Sequence, residues 1–330
     1  MAAAARARRL SGVAVEVGSA PTVSIVLPTY NRAGTVGRAV RSVLAQTFPG
    51  WELLVVDDGS TDETATLLQP YADPRIHYIR REQNHGVAAA RQLGLKLARA
   101  PYVTFLDSDD EYLPGKLAVQ IHALGRRGGA VECGMRLVLP DGRERDLGPV
   151  LYRKSPAQFA LVDRGINLAT LLIPREAALA TGFDERIRFS MSDWDFVLRL
   201  LRRCQVTAVV PQPLVVHYSH RGPRMSTAAN LMRGLEYVLA KYEGTAVLSP
   251  RARARLLRRL AAYCMGQGDL VRARQLLWRS IASWPWSLPR WLVFAAAALH
   301  PMTFARFYAV YGQAGRALRR LRIRSGVVLA

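Results

Sequence analysis

The sequence predicts an α/β protein with a mainly parallel sheet, followed by a helical C-terminal region. Three observations carry this. Between Val23 and Leu106, short β-branched or apolar runs alternate with stretches of helical periodicity. Polar or acidic clusters follow the runs at Pro28, Asp57 and Asp107. From about Ala228 onward the pattern is helical throughout. Parallel neighbours require a crossover, and helices between strands supply it.

Val23-Ser-Ile-Val-Leu27, ending at Pro28, is the first strand, and Thr35 to Gln46 a helix with Val36, Val40, Val43 and Leu44 at helix spacing. Trp51 to Val56 is the second strand. It runs into Asp57-Asp58-Gly59-Ser60-Thr61-Asp62, read as a turn and helix start with Ser60 or Thr61 as cap. Ile76 to Ile79 is a third strand, Val87 to Ala98 a helix, and Tyr102 to Leu106 a fourth strand that ends in Asp107-Ser108-Asp109-Asp110. Beyond Gly129, strands are expected over Ala130 to Leu139 with a turn at Asp141-Gly142, and Leu168 to Ile173 is a further apolar run. A helix is expected over Ser190 to Arg203, with edge strands at Val206 to Val210 and Pro213 to Tyr218. The organisation is a basic, disordered leader over 1–21, an α/β domain over 22–227 and an arginine-rich helical region over 228–330. In that last region Arg251 to Met265 and Gly268 to Ile281 loosely resemble one tetratricopeptide-type hairpin.

Half of the 330 residues are hydrophobic, enough to build a sizeable core and too many for a disordered chain. The charge-free run between Arg290 and Arg306 contains His300 and Pro301 and is shorter than the ~18–20 residues of a spanning helix. Cys133, Cys204 and Cys264 are too scattered for a disulfide framework or a zinc site, so a reduced, cytoplasmic setting is expected. The first residues lack the apolar core of a signal peptide. Net charge is +21; from Arg251 on there are 15 arginines, no lysine and one acid, Asp269. Basic helices bearing Trp278, Trp284, Trp286 and Trp291 suit an anionic membrane surface, or an ordinary subdomain with solvated arginines. No motif accompanies the charge that would specify a nucleic acid.

The clusters after the strands carry the chemistry, because open α/β sheets bind ligands beyond the carboxyl ends of their strands. Asp107 and Asp109, one residue apart on a turn, repel unless a cation intervenes. Mg²⁺ held by one or two carboxylates and by phosphate oxygens resolves that repulsion, and solvated helix-cap acids are the alternative. A carboxylate of Asp57-Asp58 can accept a hydrogen bond from a pyrimidine N–H, whereas Thr61 and Asp62 read as capping residues. In the loop after the first strand, Tyr30 offers an aromatic face and Arg32 a cation.

Val23 to Arg32, Asp57-Asp58-Gly-Ser-Thr-Asp62, Gly86-Val-Ala-Ala-Ala-Arg91 and Phe105-Leu-Asp-Ser-Asp-Asp110 stand in the order found in glycosyltransferase family 2, which the stretch from about Val23 to Ser226 resembles. The resemblance implies the GT-A fold, a nucleotide-binding α/β/α sandwich. It also implies an inverting transfer of sugar from a nucleotide-diphosphate donor, most commonly a UDP-sugar, with Mg²⁺ or Mn²⁺. It places Pro28, Thr29 and Tyr30 beside the base, with Arg32 nearby, Asp58 hydrogen-bonded to the base and Arg91 on the nucleotide. Asp107 falls near the ribose or donor sugar and Asp109 on the metal. Gln92 stands where the family often has Asn. The family's Glu-Asp pair opening a late helix corresponds to Ser192-Asp193, so Asp193 is the expected base although Ser192 replaces the Glu. His217, His220 and Arg221 lie in a stretch resembling the loop that closes on the diphosphate. The expected acceptor is a glycan or lipid-linked hydroxyl in cell-surface polysaccharide or glycolipid assembly, met in the cytoplasm or peripherally at the inner face of the membrane. The phrase Gln275-Leu-Leu-Trp278 lacks the arginine of the processive-synthase motif, which favours single addition. A catalytically inactive donor-binding homologue and a membrane-surface interaction protein are the competing readings.

Overall fold

A computed structural model describes residues 20–125, 128–161, 166–219 and 227–285. The expected leader over 1–21 therefore falls almost wholly outside the described residues, as do His220, Arg221, Trp286 and Trp291. The chain divides into two compact units, Met1–Gly234 and Leu235–Ala330.

The first unit begins with β1 (Val23–Thr29), α1 (Ala33–Leu44), β2 (Trp51–Asp57), α2 (Thr64–Leu68), β3 (Ile76–Arg80), α3 (Val87–Leu97) and β4 (Tyr102–Phe105). It continues with β5 (Glu111–Tyr112), α4 (Lys116–Leu124), β6 (Ala130–Val138), β7 (Glu144–Leu147) and α5 (Pro156–Phe159). After these come β8 (Leu171–Pro174), α6 (Arg175–Thr181), α7 (Ser192–Leu200), β9 (Val206–Tyr218) and α8 (Ala228–Lys241), which runs on into the second unit. Among the described residues the strand order is β3-β2-β1-β4-β8-β6-β9-β5, with β7 on β6. The first four of these strands pair parallel, as do β6 and β9. β8 runs antiparallel to β4 and β6, and β5 and β7 join antiparallel as well. The parallel pattern thus belongs to the N-terminal half, and the sheet becomes mixed beyond β4. The two edge strands expected over 206–218 are one strand, β9, lying between β6 and β5. Its exposed positions near Pro211–Pro213 coincide with register irregularities opposite Cys133 and Gly134.

β1 and β2 are buried at every position, as expected of strands covered on both faces. Val23, Ile25 and Leu27 join Trp51, Leu53 and Val55 in one cluster with Val36, Val40 and Val43 of α1 and Leu117 and Leu124 of α4. Val26 and Val56 face α3, where Gly94 lets the helix come close: a Cβ there would lie 2.4 Å from Val26 Cγ1. The polar Ser24 in β1 is satisfied by Glu52, which accepts its hydroxyl at 2.6 Å and the Arg99 N–H at 2.8 Å.

The caps differ from the sequence expectation. α2 starts at Thr64, with Glu63 at its N-cap position and no side-chain cap. Ser60 and Thr61 instead tie the loops together: Asn31 N–H donates to Ser60 Oγ at 2.9 Å and Thr61 N–H to Asn31 Oδ1 at 2.8 Å. Asp62 and Thr64 serve the start of α1, accepting the Ala33 and Arg32 N–H groups at 3.1 and 2.9 Å. This lashing fixes the β1–α1 loop against the β2 loop.

In the second unit, α9 (Pro250–Gly266) and α10 (Leu270–Ser283) form an antiparallel hairpin, capped by Ser249 and Asp269. Leu256, Leu257, Leu260 and Cys264 are buried on α9, and Leu276, Leu277 and Ile281 on α10.

Candidate functional site

The carboxyl ends of β1, β2 and β4, the start of α3 and the start of α7 supply the candidate residues. Pro28 and Thr29 end β1 inside the core, while Tyr30 is exposed just beyond. Asn31 follows with φ of 51°, a left-handed conformation that the Ser60 and Thr61 contacts hold in place.

At the end of β2 two adjacent carboxylates do different work. Asp57 accepts the Tyr78 hydroxyl at 2.5 Å and the Ser60 N–H at 2.8 Å, so it builds the loop. Asp58, also buried, turns Oδ2 to the N–H groups of Gly86 and His85 at 2.7 and 3.0 Å. Its Oδ1 is buried and receives no hydrogen bond from a described residue; the Arg81 guanidinium stands 3.5 Å away. Burial raises the Asp58 pKa, and the two amides and Arg81 offset part of that rise. Thr29 Oγ1 and Arg91 Nε are likewise buried without a partner.

Arg91 projects from α3 and is buried. Its Nη2 lies 2.6 Å from Asp107 Oδ1 and its Nη1 3.5 Å from Ser192 Oγ. Burial works against its charge, but Asp107, Asp193 and Asp109 together hold its pKa above the ordinary value. One arginine therefore links the end of β4 to the start of α7.

Asp109, its side chain 20 % exposed, has Arg32 Nη2 at 3.8 Å, and its carbonyl accepts from Arg38 at 2.6 Å. Asp110 is fully buried and pairs with His217 at 2.9 Å. Among the described residues no three His, Cys, Asp or Glu side chains converge as a metal site. The donor chemistry at the rim is nevertheless that of hard carboxylate oxygens, and Mg²⁺ or Mn²⁺ bound with a diphosphate needs only one or two of these. Asp109, at the rim with Arg32 3.8 Å away, is a carboxylate of that kind.

α7 is shorter than the expected 190–203. It starts after Met191, whose φ of 84° is left-handed. Gly234 of α8 allows that turn: a Cβ there would sit 2.2 Å from the Ser190 carbonyl oxygen. Asp193 is partly buried in the first turn, its Oδ1 accepting the Trp194 N–H at 2.9 Å. Burial raises its pKa, Arg91 opposes that rise, and Asp107 adds to it. Asp195, two residues on, is spent on Arg199 at 2.7 Å.

The structure thus brings Asp58, Arg91, Asp107, Asp109, Asp193 and His217 to one end of the sheet. Asn167, which donates to Asp110 at 2.8 Å, was not foreseen; its place after a segment without periodicity gives no local signal.

The described residues thus place acids at the ends of β2 and β4 and a carboxylate, Asp193, in the first turn of α7. Residues 24–166 match the family described as Glycosyl transferase family 2. A Bacillus subtilis (strain 168) protein whose name, TuaG, attaches to teichuronic acid biosynthesis is 38% identical over 159 residues, covering 47% of this chain and 63% of its own length. The chain thus spans less than two thirds of that relative. Among solved structures, S. aureus TarS 1–349 in complex with UDP superposes with a TM-score of 0.62 at 19% identity, over 89% of this chain and 92% of TarS 1–349. The mannosyltransferase PcManGT from Pyrobaculum calidifontis, solved with GDP-Man and Mn²⁺, gives 0.52 at 19% identity, over 85% and 80%. These two show a shared fold.

Proposed function

We propose that this chain is a metal-dependent, inverting glycosyltransferase that moves a sugar from a nucleotide-diphosphate donor, a UDP-sugar, to a hydroxyl acceptor in cell-surface polysaccharide or glycolipid assembly. The observation that carries the proposal is the buried Asp58 Oδ1, an acceptor without a hydrogen bond, at the end of the strand where a base would enter. A buried carboxylate oxygen left unpaired is costly, and a base N–H satisfies it. TuaG's name, TarS with UDP and PcManGT with GDP-Man support the donor and pathway class.

In this reading Tyr30 stacks on the base, Pro28, Thr29 and Arg32 border the nucleotide, and Arg91 fixes Asp107 for the ribose or donor sugar. Asp109 holds Mg²⁺ or Mn²⁺, which supplies positive charge to the diphosphate when bound. Asp193 accepts the proton of the acceptor hydroxyl as its oxygen bonds to the anomeric carbon from the face opposite the diphosphate. The carbon–oxygen bond to the diphosphate breaks with its electron pair on the leaving oxygen, so configuration inverts. The raised pKa of Asp193 makes it a better base than a surface carboxylate.

In the second unit, Leu235 to Pro285 carries nine Lys and Arg against three acids. Those acids are occupied: Glu236 by Arg272, Glu243 by Arg253, and Asp269 by the α10 N-terminus. The surplus charge supports peripheral attachment to an anionic membrane surface, where a lipid-linked acceptor would reside. None of the described helices is long and apolar enough to cross a membrane.

Thermal-shift measurements with UDP, GDP and CDP, each with and without Mn²⁺, test the reading. Stabilisation by one base, dependent on the cation and abolished in its cation-dependence by Asp109→Asn, is expected. No shift with any nucleotide would overturn it.

A further inference from the structure

Val271 and Trp278 are the most exposed large hydrophobic side chains among the described residues, at 69% and 53%. Both belong to α10, whose packing does not call for them. Ala273, Leu276, Leu277, Ser280 and Ile281 form its buried side, and Ser280 Oγ donates to the Ala254 carbonyl of α9 at 2.7 Å. A surface helix needs one apolar stripe, toward its core, and polar residues elsewhere. α10 has a second stripe. Val271, Gln275, Trp278 and Ala282 are all exposed and stand at i, i+4, i+7 and i+11, so three apolar side chains and one amide line up along the outside of the helix.

Charge frames this stripe. At 100° per residue, Arg272 and Arg279 lie along one flank and Arg274 along the other. No acid stands between Leu270 and Ser283. The acids nearby are already committed: Glu236 to Arg272, Glu243 to Arg253 with Arg279 3.9 Å away, and Asp269 to the Arg272 N–H at 3.1 Å. A strip of valine, tryptophan and alanine between arginines complements a surface that is anionic at its rim and apolar just beneath. The headgroup region of an anionic bilayer has both properties. A nucleic acid offers the phosphates but no continuous apolar layer. The 14 residues of α10 are too few for a span, which takes ~20, so the geometry suits a helix lying in the plane of the surface.

Resting on the reading of the second unit as a peripheral membrane attachment, we infer that the outer face of α10 is its lipid-contacting surface. Val271 and Trp278 enter the boundary between headgroups and acyl chains, and Arg272, Arg274 and Arg279 stay among the anionic headgroups. Charge recruits the chain, and the apolar pair adds contact that charge alone does not provide. An indole suits that depth, because its body is apolar while its N–H keeps a polar partner.

The test sediments the full chain at low salt with vesicles of phosphatidylcholine alone, and of phosphatidylcholine mixed with phosphatidylglycerol. Wild type is expected to bind the mixed vesicles and not the neutral ones. Trp278→Ser is expected to bind about tenfold more weakly and Val271→Ser about threefold, whereas Trp278→Phe, which restores an apolar ring, stays within about threefold of wild type. With brominated acyl chains, tryptophan emission should be quenched on binding, and less so in Trp278→Phe. Thermal unfolding and UDP binding should be unchanged in all three variants, since the face is exposed. Equal vesicle affinity in folded Trp278→Ser, or quenching undiminished in Trp278→Phe, overturns the inference alone and leaves attachment to another surface of the chain. Self-association of the chain that Trp278→Ser abolishes while vesicle binding persists assigns the face to a second copy, and likewise overturns it. A wild-type chain that ignores both kinds of vesicle overturns the peripheral-attachment reading as well.

Discussion

Asp58→Asn separates the site's function from its stability. The Asn side-chain oxygen can take over the two backbone donors, His85 and Gly86, now bound at 3.0 and 2.7 Å. Its amide nitrogen then occupies the place of Oδ1 and presents hydrogens where a base N–H would donate. One charge-assisted hydrogen bond, worth ~1.5–3 kcal/mol, is lost and replaced by two donors facing each other. At ~1.4 kcal/mol per factor of ten, UDP should bind about ten- to hundredfold more weakly, with the preference for uracil reduced. Stability should move the other way. Burial raises the folded-state pKa of Asp58 above its unfolded value. The folded chain therefore binds more protons across that interval, and stability falls as pH rises from the unfolded pKa, ~3.9, through the raised folded one. At neutral pH the charged carboxylate is a net cost, which the amide relieves. Calorimetry with UDP and thermal unfolding at pH 5 and 7.5 check both halves. A folded Asp58→Asn chain that binds UDP within twofold of wild type would refute the assignment of Oδ1 to the base.

Asp193→Asn should reduce turnover by ~10²–10⁴ while leaving UDP affinity intact, and the wild-type acid limb should lie above the ordinary aspartate range; equal loss of nucleotide binding would contradict its role as base. Ser192→Glu adds a carboxylate beside Arg91 and should push the Asp193 pKa higher, moving that limb upward; turnover present only in the variant would mark the wild-type chain as an inactive homologue. Lys116 is fully buried, with Nζ 2.8 Å from Thr104 Oγ1, and burial lowers its pKa to about 7. Stability should rise as pH climbs from that value toward the unfolded ~10.4, by about 5 kcal/mol at most, and denaturant unfolding of Lys116→Met should lack this gain. Sedimentation with anionic vesicles should show binding at low salt that disappears at high salt; binding unchanged by salt would defeat the electrostatic proposal.

Much of the parallel half was legible because burial on both faces writes strands as unbroken apolar runs, so β1, β2 and β4 match expectation within two residues at each end. The helix start at Ser60 or Thr61 was misplaced for a physical reason. A serine or threonine before acids looks like a local cap, but here Ser60 and Thr61 serve Asn31, and Asp62 serves the start of α1, each across ~30 residues of chain, and sequence-local rules cannot see a partner that far away. β9 was split in two because Pro211 and Pro213 read as breaks, whereas the register irregularities opposite Cys133 and Gly134 carry the strand through.

The site shows the same division between what spacing reveals and what only the fold decides. Asp57 and Asp58 are equivalent on paper. Their difference is made by Tyr78, contributed from β3 to Asp57 alone, and by the Gly86 turn, which reaches Asp58 alone. Asp107, Asp109 and Asp110 divide in the same manner, by the partner each meets: Arg91 from α3, Arg32 from the β1–α1 loop, and His217 from β9. An acidic cluster at a strand end therefore acquires distinct roles only when neighbouring strands and helices bring one cation to each carboxylate. Among the described residues Asp193 has no cation to itself: Arg91 lies 2.6 Å from Asp107 and only opposes the rise that burial gives the Asp193 pKa, which suits the proposed role as base.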